Sequence, residues 1–272
     1  MAAQLPYKEK IVVITGAGSG IGRQLALRYS ADQARLALCD IDPETLAETA
    51  QLCRDAGASE VQAEQLDVAG RQEVYQWAER INNSMGPADV VVNNAGIAYV
   101  AGFDEQDMDY FERVMQVNFY GVVWGCRAFL PQLRQTQGSI VNISSIFGMA
   151  AASYNSAYNA SKFAVRAISE VLWTELYGTG VHVASVHPGG VKTNIARLAR
   201  VDVKTNRDFA EAFDAVARTT APSAAAQIYK GVLKKKKRIL VGADAKFLSF
   251  VLRLLPNHYV NAIPLLRRRY DE

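Results

Sequence analysis

The sequence predicts one α/β domain built on a doubly wound, parallel sheet of about seven strands with helices on both faces. Three observations predict it. Short β-branched and apolar runs alternate with helical stretches along most of the chain, as consecutive βαβ units require. The first of these runs leads at once into a glycine-rich turn and then a helix. Finally, 272 residues suit one large α/β domain, and no Pro/Gly/Ser linker, internal repeat or low-complexity segment divides them.

The strands fall near 10–15, 35–40, 60–66, 88–93, 138–143, 180–187 and 238–242. Lys10 to Thr15 is a β-branched run fit for a strand buried on both faces. Gly16-Ala17-Gly18-Ser19-Gly20-Ile21-Gly22 follows, and Arg23 to Ala31 reads as a helix with Leu25, Ala26 and Tyr29 at helical spacing. Strand, glycine turn and helix in that order set up a dinucleotide phosphate site. Glycines permit a tight turn and close approach of backbone to a pyrophosphate. The helix N-terminus adds unpaired N–H groups and a partial positive charge. The second strand ends at Asp40, twenty residues beyond Gly20. An acid there accepts hydrogen bonds from ribose hydroxyls and repels a 2′-phosphate. Asp42 competes, but Asp42-Pro43-Glu44 reads as a helix start: N-cap aspartate, first-turn proline, early carboxylate.

The third strand ends in Asp67-Val68, where Asp67 could also N-cap a helix near Ala69 to Ser84. The fourth runs through Val90-Val91-Val92 into Asn93-Asn94-Ala95-Gly96. Small and amide residues there admit a ligand while pairing local backbone groups. Asn118 then stands among Val117, Phe119, Tyr120, Val122, Val123 and Trp124, awkward company for an amide without partners or a task. The fifth strand ends at Ile143-Ser144-Ser145. Beyond it, Tyr158 and Lys162 share one face of a predicted helix at i and i+4. A phenol's reference pKa is about 10, and a nearby cation favours its ionised form. Tyr158 could then exchange a proton with an alcohol or carbonyl near neutral pH. Tyr154 lacks such a lysine, since position 158 lies four residues on. The sixth strand leads into Pro188-Gly189-Gly190-Val191-Lys192-Thr193.

Read together and in order, these motifs resemble the short-chain dehydrogenase/reductase family from about residue 9 to about 243. Thr15-Gly16-x-x-x-Gly20-x-Gly22 fits its phosphate loop, and Asn93-Asn94-Ala95-Gly96 its strand-end signature. Ser145 stands thirteen residues before Tyr158, the family's interval, which alone separates it from Ser144. The resemblance implies a Rossmann-type fold over residues 1–243 and hydride transfer between a secondary alcohol or ketone and a nicotinamide. It implies Tyr158 as acid/base and Lys162 as the cation that depresses its pKa and holds the nicotinamide ribose. Ser145 would donate a hydrogen bond to the substrate oxygen, and Asn118 would anchor a water linking Lys162 to solvent. Gly16, Ser19, Gly20, Ile21 and Gly22 would cradle the phosphates, Asp40 the adenosine ribose, and Asp67 and Val68 the adenine. Asn94, Ala95 and Gly96 would pack on the cofactor, with Pro188, Gly189, Val191 and Thr193 at the nicotinamide. Thr193 could instead N-cap a helix. Members that use NADP often carry a basic residue just before the middle glycine or just after the acid. Here those positions are Ser19 and Ile41, so NAD is expected, with NADP as the alternative. Subunit pairing through helices around 105–136 and 154–178 implies a homodimer or homotetramer.

Residues 194–222 are the segment that covers substrate in this family. They mix Ile195, Leu198, Phe209, Phe213 and Val216 with Arg197, Arg200, Lys204 and Arg207. With Ala98, Tyr99, Val100, Phe103, Phe147 and Met149 they suggest a largely apolar pocket for a lipophilic alcohol or ketone. Cys39, Cys53 and Cys126 are odd in number and lack metal-type spacing, which suits a reducing, cytoplasmic setting. His182, His187 and His258 are scattered, so no metal is expected, and His187 receives no role. No aromatic-interleaved basic motif points to nucleic acid.

The tail at 244–272 reads as helical. Residues 230–272 hold eleven Lys/Arg against three Asp/Glu, a net +8 in a chain of +3. Lys234-Lys235-Lys236-Lys237-Arg238 precedes a helix apolar on most sides (Phe247, Leu248, Phe250, Val251, Leu252, Leu254, Leu255), with Ser249 and Arg253 as a narrow polar stripe. Arg267-Arg268-Arg269 follows. Packing against the domain or a partner subunit is the expected use. An anionic membrane surface is the alternative, and a catalytically idle adaptor is the rival to an enzyme.

Overall fold

The computed structural model describes residues 5–203 and 209–262. The chain opens with β1 (Ile11–Thr15), α1 (Gly20–Ser30), β2 (Arg35–Asp40), α2 (Pro43–Asp55), β3 (Glu60–Gln65), α3 (Arg71–Ser84) and β4 (Val90–Asn93). It continues through β5 (Tyr99–Val100), α4 (Met108–Met115), α5 (Gly121–Thr136), β6 (Ser139–Ile143), α6 (Ser156–Glu175), β7 (His182–Pro188), β8 (Val191–Lys192) and β9 (Arg200–Val201). It closes with α7 (Phe209–Val216), β10 (Thr219–Thr220), α8 (Ala221–Leu233), β11 (Arg238–Val241), α9 (Ala243–Leu254) and α10 (Tyr259–Ala262). Seven strands make one parallel sheet in the order β11-β7-β6-β4-β1-β2-β3. The winding reverses between β1 and β4, which opens a crevice at the carboxyl ends of those strands.

Each side of the sheet has its own core. Val12 and Ile14 of β1 point into a cluster with Leu25 and Tyr29 of α1, Leu46 of α2 and Ile228 of α8. Ile11 and Val13 point the other way, toward Trp77 of α3, Phe129 of α5 and Val165 of α6. A strand buried on both faces has no polar side to alternate with, which explains its continuous apolar run. The edge strand β3 is polar instead: Glu60 pairs with Arg35 and Glu64 with Arg80, which discourages edge pairing with another chain. A polar row crosses the second core, unforeseen from sequence. Asn93, Asn142 and Ser185 are register partners across β4, β6 and β7. Asn142 accepts from Asn93 at 2.8 Å and donates to Ser169 Oγ at 3.0 Å.

α2 begins as its sequence suggested, with Asp42 accepting from the N–H groups of Glu44 and Thr45 at 3.0 and 3.2 Å. Asp67, by contrast, caps no helix. α3 starts only at Arg71, behind Gly70, so Asp67 lies too early. Its carboxylate instead accepts from Ala69 N at 3.0 Å and from Arg113 at 2.7 Å. Between α4 and α5 the chain makes a π-helical turn, Gln116–Tyr120, that contains Asn118. Thr193 starts no helix either. It follows β8, which pairs with β10, while β5 pairs with β9. These two short ladders fold the segment after β7 back over the crevice. Arg200 staples the second of them, bonding Asp107 at 2.8 Å and Asp202 at 2.9 Å.

α9 follows β11 and docks through Ala245 and Leu248, the latter against Ala150. Its outer side shows Phe247, Phe250 and Leu254 at 63%, 61% and 63% exposure. Lys234–Lys237 precede β11, whereas α9 leaves its far end. The basic run and the apolar helix therefore occupy opposite ends of the sheet rather than adjoining one another. Arg267, Arg268 and Arg269 lie outside the described residues, as do Lys204 and Arg207.

Candidate active site

A cavity of about 550 Å³ occupies the crevice, within the usual range of about 300–1,000 Å³ for small-molecule sites. It runs from Asp40, Ile41 and Asp67 at one end to Leu198, Phe213 and Phe247 at the other. Gly16, Ser19, Gly20, Ile21, Val68, Asn94, Ala95, Gly96, Ser145, Tyr158, Lys162, Pro188, Gly189, Val191 and Thr193 all line it. Sequence positions as far apart as Gly16 and Phe247 thus converge, because successive βα junctions emerge side by side. Two expected residues sit behind the wall instead: Gly22 in the glycine turn and Asn118 in the π-helical turn.

The glycine turn is a backbone surface. Gly16 has φ +64 and Gly20 φ +55, left-handed values that favour glycine. A Cβ on Gly16 would lie 2.7 Å from Ala95 Cα, and one on Gly22 2.1 Å from the Gly16 carbonyl oxygen. Gly22 therefore serves close packing of loop on helix, not contact with the cavity. Ser19 precedes α1 in extended conformation and its hydroxyl does not cap the helix, so the first-turn N–H groups are left for other acceptors. Asn94 Nδ2 donates to the carbonyls of Thr15 and Gly16, both at 2.9 Å. Asp40 accepts from Gly18 N at 2.7 Å and faces the cavity, while Asp42 is committed to α2. These features fit a dinucleotide: bare backbone at a helix N-terminus for phosphates, and an acid beyond it for ribose hydroxyls.

At the other end lie the groups that can move protons. Ser145 Oγ accepts from Phe147 N at 3.1 Å, and the Ser145 hydroxyl neighbours the Tyr158 phenol, whose pKa it lowers. Ser144 donates its hydroxyl to the Lys162 carbonyl at 2.8 Å, so the geometry separates two serines that sequence separated only by spacing. Tyr154 does not line the cavity. Lys162 is 3% exposed; its Nζ donates to the Ile143 carbonyl at 3.0 Å and sits 5.6 Å from the Tyr158 ring centre. Desolvation pulls Lys162 down to about 8. It pushes Tyr158 up to about 12, against the lowering by Ser145. In the protein by itself burial therefore dominates the phenol, and the depression expected from Lys162 does not appear. Burial disfavours the charged form of both groups.

Asn118 is fully buried. Its amide accepts from Ile97 N at 2.8 Å and donates to the Ile97 carbonyl at 2.9 Å and to Ser161 Oγ at 3.1 Å. Its side chain is thus tied to the neighbouring loop. A Cβ on Gly96 would lie 3.2 Å from Asn118 Oδ1 and 3.3 Å from Lys162 Nζ, so both polar groups lie against the same glycine.

Ile195, Leu198 and Phe213 line the open end with Ala98 and Phe147, as expected. Tyr99 and Val100 do not, because they form β5; Tyr99 instead donates to Asp202 at 2.8 Å. Met149 is buried away from the cavity, and Phe103 points to solvent at 80% exposure. The side chains of Phe209 and Val216 lie outside what is described. Sequence reasoning missed Arg113, Asn155, Asn194 and Asp244, and did not bring Phe247 and Leu248 to the cavity, all of which line it. Asp244 accepts from Gly190 N at 2.6 Å, and so ties α9 to the loop after β7. Arg113 and Asp244, like Phe247 and Leu248, arrive from distant elements that no local pattern ties to the site, whereas Asn155 and Asn194 stand beside expected residues.

The family model for short chain dehydrogenases matches residues 10–204. SadH of Mycobacterium tuberculosis, which carries the general name of an oxidoreductase, is 44% identical over 258 residues, 93% of each chain. Mouse epidermal retinol dehydrogenase 2 is 38% identical over 190 residues, 68% of this chain and 62% of that one. A short chain dehydrogenase/reductase from Burkholderia phymatum, solved in complex with NAD, superposes with a TM-score of 0.81 at 27% identity over 98% of both chains.

Proposed function

The chain belongs to the short-chain dehydrogenase/reductase family and is an oxidoreductase with a nucleotide cofactor; from that premise we propose that it is an NAD-dependent enzyme interconverting a lipophilic secondary alcohol and its ketone. The observation that carries this reading is the meeting of Ser145 and Tyr158 at the cavity wall, with Lys162 buried behind them. When bound, the nicotinamide would supply the hydride donor or acceptor and, oxidised, a positive charge beside the phenol.

Gly16, Ser19, Gly20 and Ile21 form the phosphate cradle, which Gly22 supports by close packing from behind, with Asp40 at the ribose and Asp67 and Val68 at the adenine. Asn94, Ala95, Gly96, Pro188, Gly189, Val191 and Thr193 complete the cofactor's walls. No cation stands at Ser19 or Ile41, and an acid stands at Asp40, which supports NAD over NADP. Ser145 donates a hydrogen bond to the substrate oxygen and so stabilises the alkoxide character that develops there. Tyr158 delivers its proton to that oxygen during reduction and, as phenolate, removes it during oxidation. Lys162 holds a positive charge behind the phenol and orients the ribose. Asn118, beyond Gly96, positions the water path that re-protonates Lys162. The apolar open end (Ala98, Phe147, Ile195, Leu198, Phe213, Phe247) supports a lipophilic substrate, as does likeness to a retinol dehydrogenase.

The test is turnover of lipophilic against polar secondary alcohols with NAD and with NADP. NAD-linked oxidation of lipophilic alcohols is expected. Tyr158→Phe should lower it by about 10²–10⁴-fold while NADH still binds. A clear NADP preference, or full activity in Tyr158→Phe, would overturn the corresponding assignment. Two further properties belong to this reading. Exposed Phe163, Val171 and Tyr177 favour a homodimer or homotetramer built on α6, checked by light scattering. The apolar outer side of α9, with exposed Lys246 and Arg253, favours peripheral contact with an anionic lipid surface beside the cavity mouth.

A further inference from the structure

We propose that His187 is a positioning residue: it fixes the backbone of Ser145 and thereby aims the Ser145 hydroxyl. This inference rests on Ser145 and Tyr158 being the reacting pair. The imidazole is 0% exposed near the carboxyl end of β7, beside the end of β6. Its Nδ1 lies 3.0 Å from the Ser145 carbonyl oxygen, and its Nε2 lies 2.9 Å from Ser185 Oγ. A carbonyl oxygen can only accept, so Nδ1 carries the hydrogen. Nε2 is then the acceptor, and the Ser185 hydroxyl donates to it. The two partners select one tautomer of a neutral ring, and burial, which pulls His187 down to about 4, keeps that ring neutral at physiological pH.

The Ser145 carbonyl also accepts from Gly148 N at 3.0 Å. Both of its lone pairs are therefore engaged, one by the short helical turn Ile146–Gly148 and one by His187. The Ser145 hydroxyl accepts from Phe147 N within the same turn. Hydroxyl, turn and carbonyl thus form one small unit; the Ser144 N–H ties the chain before it to the Val186 carbonyl of β7 at 2.8 Å, and His187 is the side chain that ties the unit itself to β7. An apolar side chain at 187 would leave a buried carbonyl lone pair without its donor and free the unit to rotate. Small displacements at a reacting centre cost large factors in rate. A histidine that merely packs would affect stability but not the aim of the hydroxyl.

The experiment compares His187→Leu, His187→Asn and His187→Gln in the full chain. The asparagine amide places its N–H₂ near the position of Nδ1; the glutamine amide reaches toward Nε2. His187→Leu should lower kcat by about 10- to 100-fold with the NADH dissociation constant within about 2-fold of wild type. His187→Asn should recover most of the loss, and His187→Gln should not. In a Ser145→Ala background the leucine change should cost no further turnover, because both act through one hydroxyl. Unchanged kcat in His187→Leu, a fully additive double variant, or equal activity of the Asn and Gln variants would overturn the inference. If the leucine variant fails to fold, the Asn and Gln pair decides alone. Wild-type turnover in Ser145→Ala would instead sink the reading of Ser145 itself. Imidazole ¹⁵N shifts need no substrate, and a ring protonated on Nε2 at neutral pH would also overturn the inference.

Discussion

At Tyr158 two effects oppose each other. Burial raises the phenol to about 12 and lowers Lys162 to about 8, so each resists its charged form. Oxidation of an alcohol needs the phenolate, whereas reduction of a ketone needs the phenol. Oxidation should therefore climb with pH through the phenol's pKa, while reduction stays level until the same pKa and then falls. Lys162→Met should move both limbs to higher pH, which kcat/KM profiles in the two directions will show. His187 gives a separate pH dependence, in stability. Its folded pKa, about 4, lies below the ordinary imidazole value of 6.5, so the unfolded chain binds more protons between those values. Stability contributed by the neutral ring is thus present above pH 6.5 and lost as pH falls toward 4. Wild type should lose on the order of 3 kcal/mol more than His187→Asn between pH 7 and pH 4, as read from denaturant unfolding at each pH. Individual residues were only partly legible in the sequence. Spacing singled out Tyr158, Lys162 and Ser145, but the bonds that set Ser144 apart from Ser145 join residues 18 apart in the chain.

Among elements, the glycine turn and the segment after β7 contrast most. The turn is dictated locally: backbone must pass backbone, and side chains are excluded by contact. Gly22→Ala would put a Cβ 2.1 Å from a backbone oxygen that cannot swing aside. NADH affinity should fall at least about 10-fold, since such overpacking displaces the backbone itself, and titration of NADH fluorescence will measure it. The strands were legible for the same local reason, and the seven expected in the sheet match the observed ones within two residues at each end. The π-helical turn at Gln116–Tyr120 was not. One extra residue per turn barely disturbs an apolar pattern, and only the amide of Asn118 hinted at something unusual. The two short ladders, β5 with β9 and β8 with β10, were invisible for a different reason. Two-residue strands carry no periodicity, and their partners lie 101 and 28 residues away.

On the scale of the whole molecule, charge and apolar surface are distributed unevenly. The sequence set a basic run beside an apolar helix, and the fold sends them to opposite ends of the sheet. What remains next to the cavity is the outer side of α9, with Phe247, Phe250 and Leu254 exposed. A bilayer contact there would depend on apolar insertion more than on the Lys234–Lys237 run. In flotation with anionic vesicles, Phe247→Ser/Phe250→Ser should lose co-migration, whereas replacing Lys234–Lys237 by glutamine should retain most of it. Failure of the wild-type chain to co-migrate would leave the α9 surface to a protein partner or a second copy.

Local sequence was enough to read the strand and helix order, the sheet type, the glycine turn and the spacing of the proposed trio Ser145, Tyr158 and Lys162. Each is written in neighbouring residues: buried strands in unbroken apolar runs, helix starts in their caps, tight turns in glycine, and a helical pair in i, i+4 spacing. Only the tertiary structure decided what surrounds them. It turned Arg113 onto Asp67, brought Asp244 and Phe247 from α9 to the cavity, seated His187 under Ser145, and let burial override charge at Tyr158. These depend on distances between elements far apart in the chain and on the exclusion of water, neither of which a local pattern records.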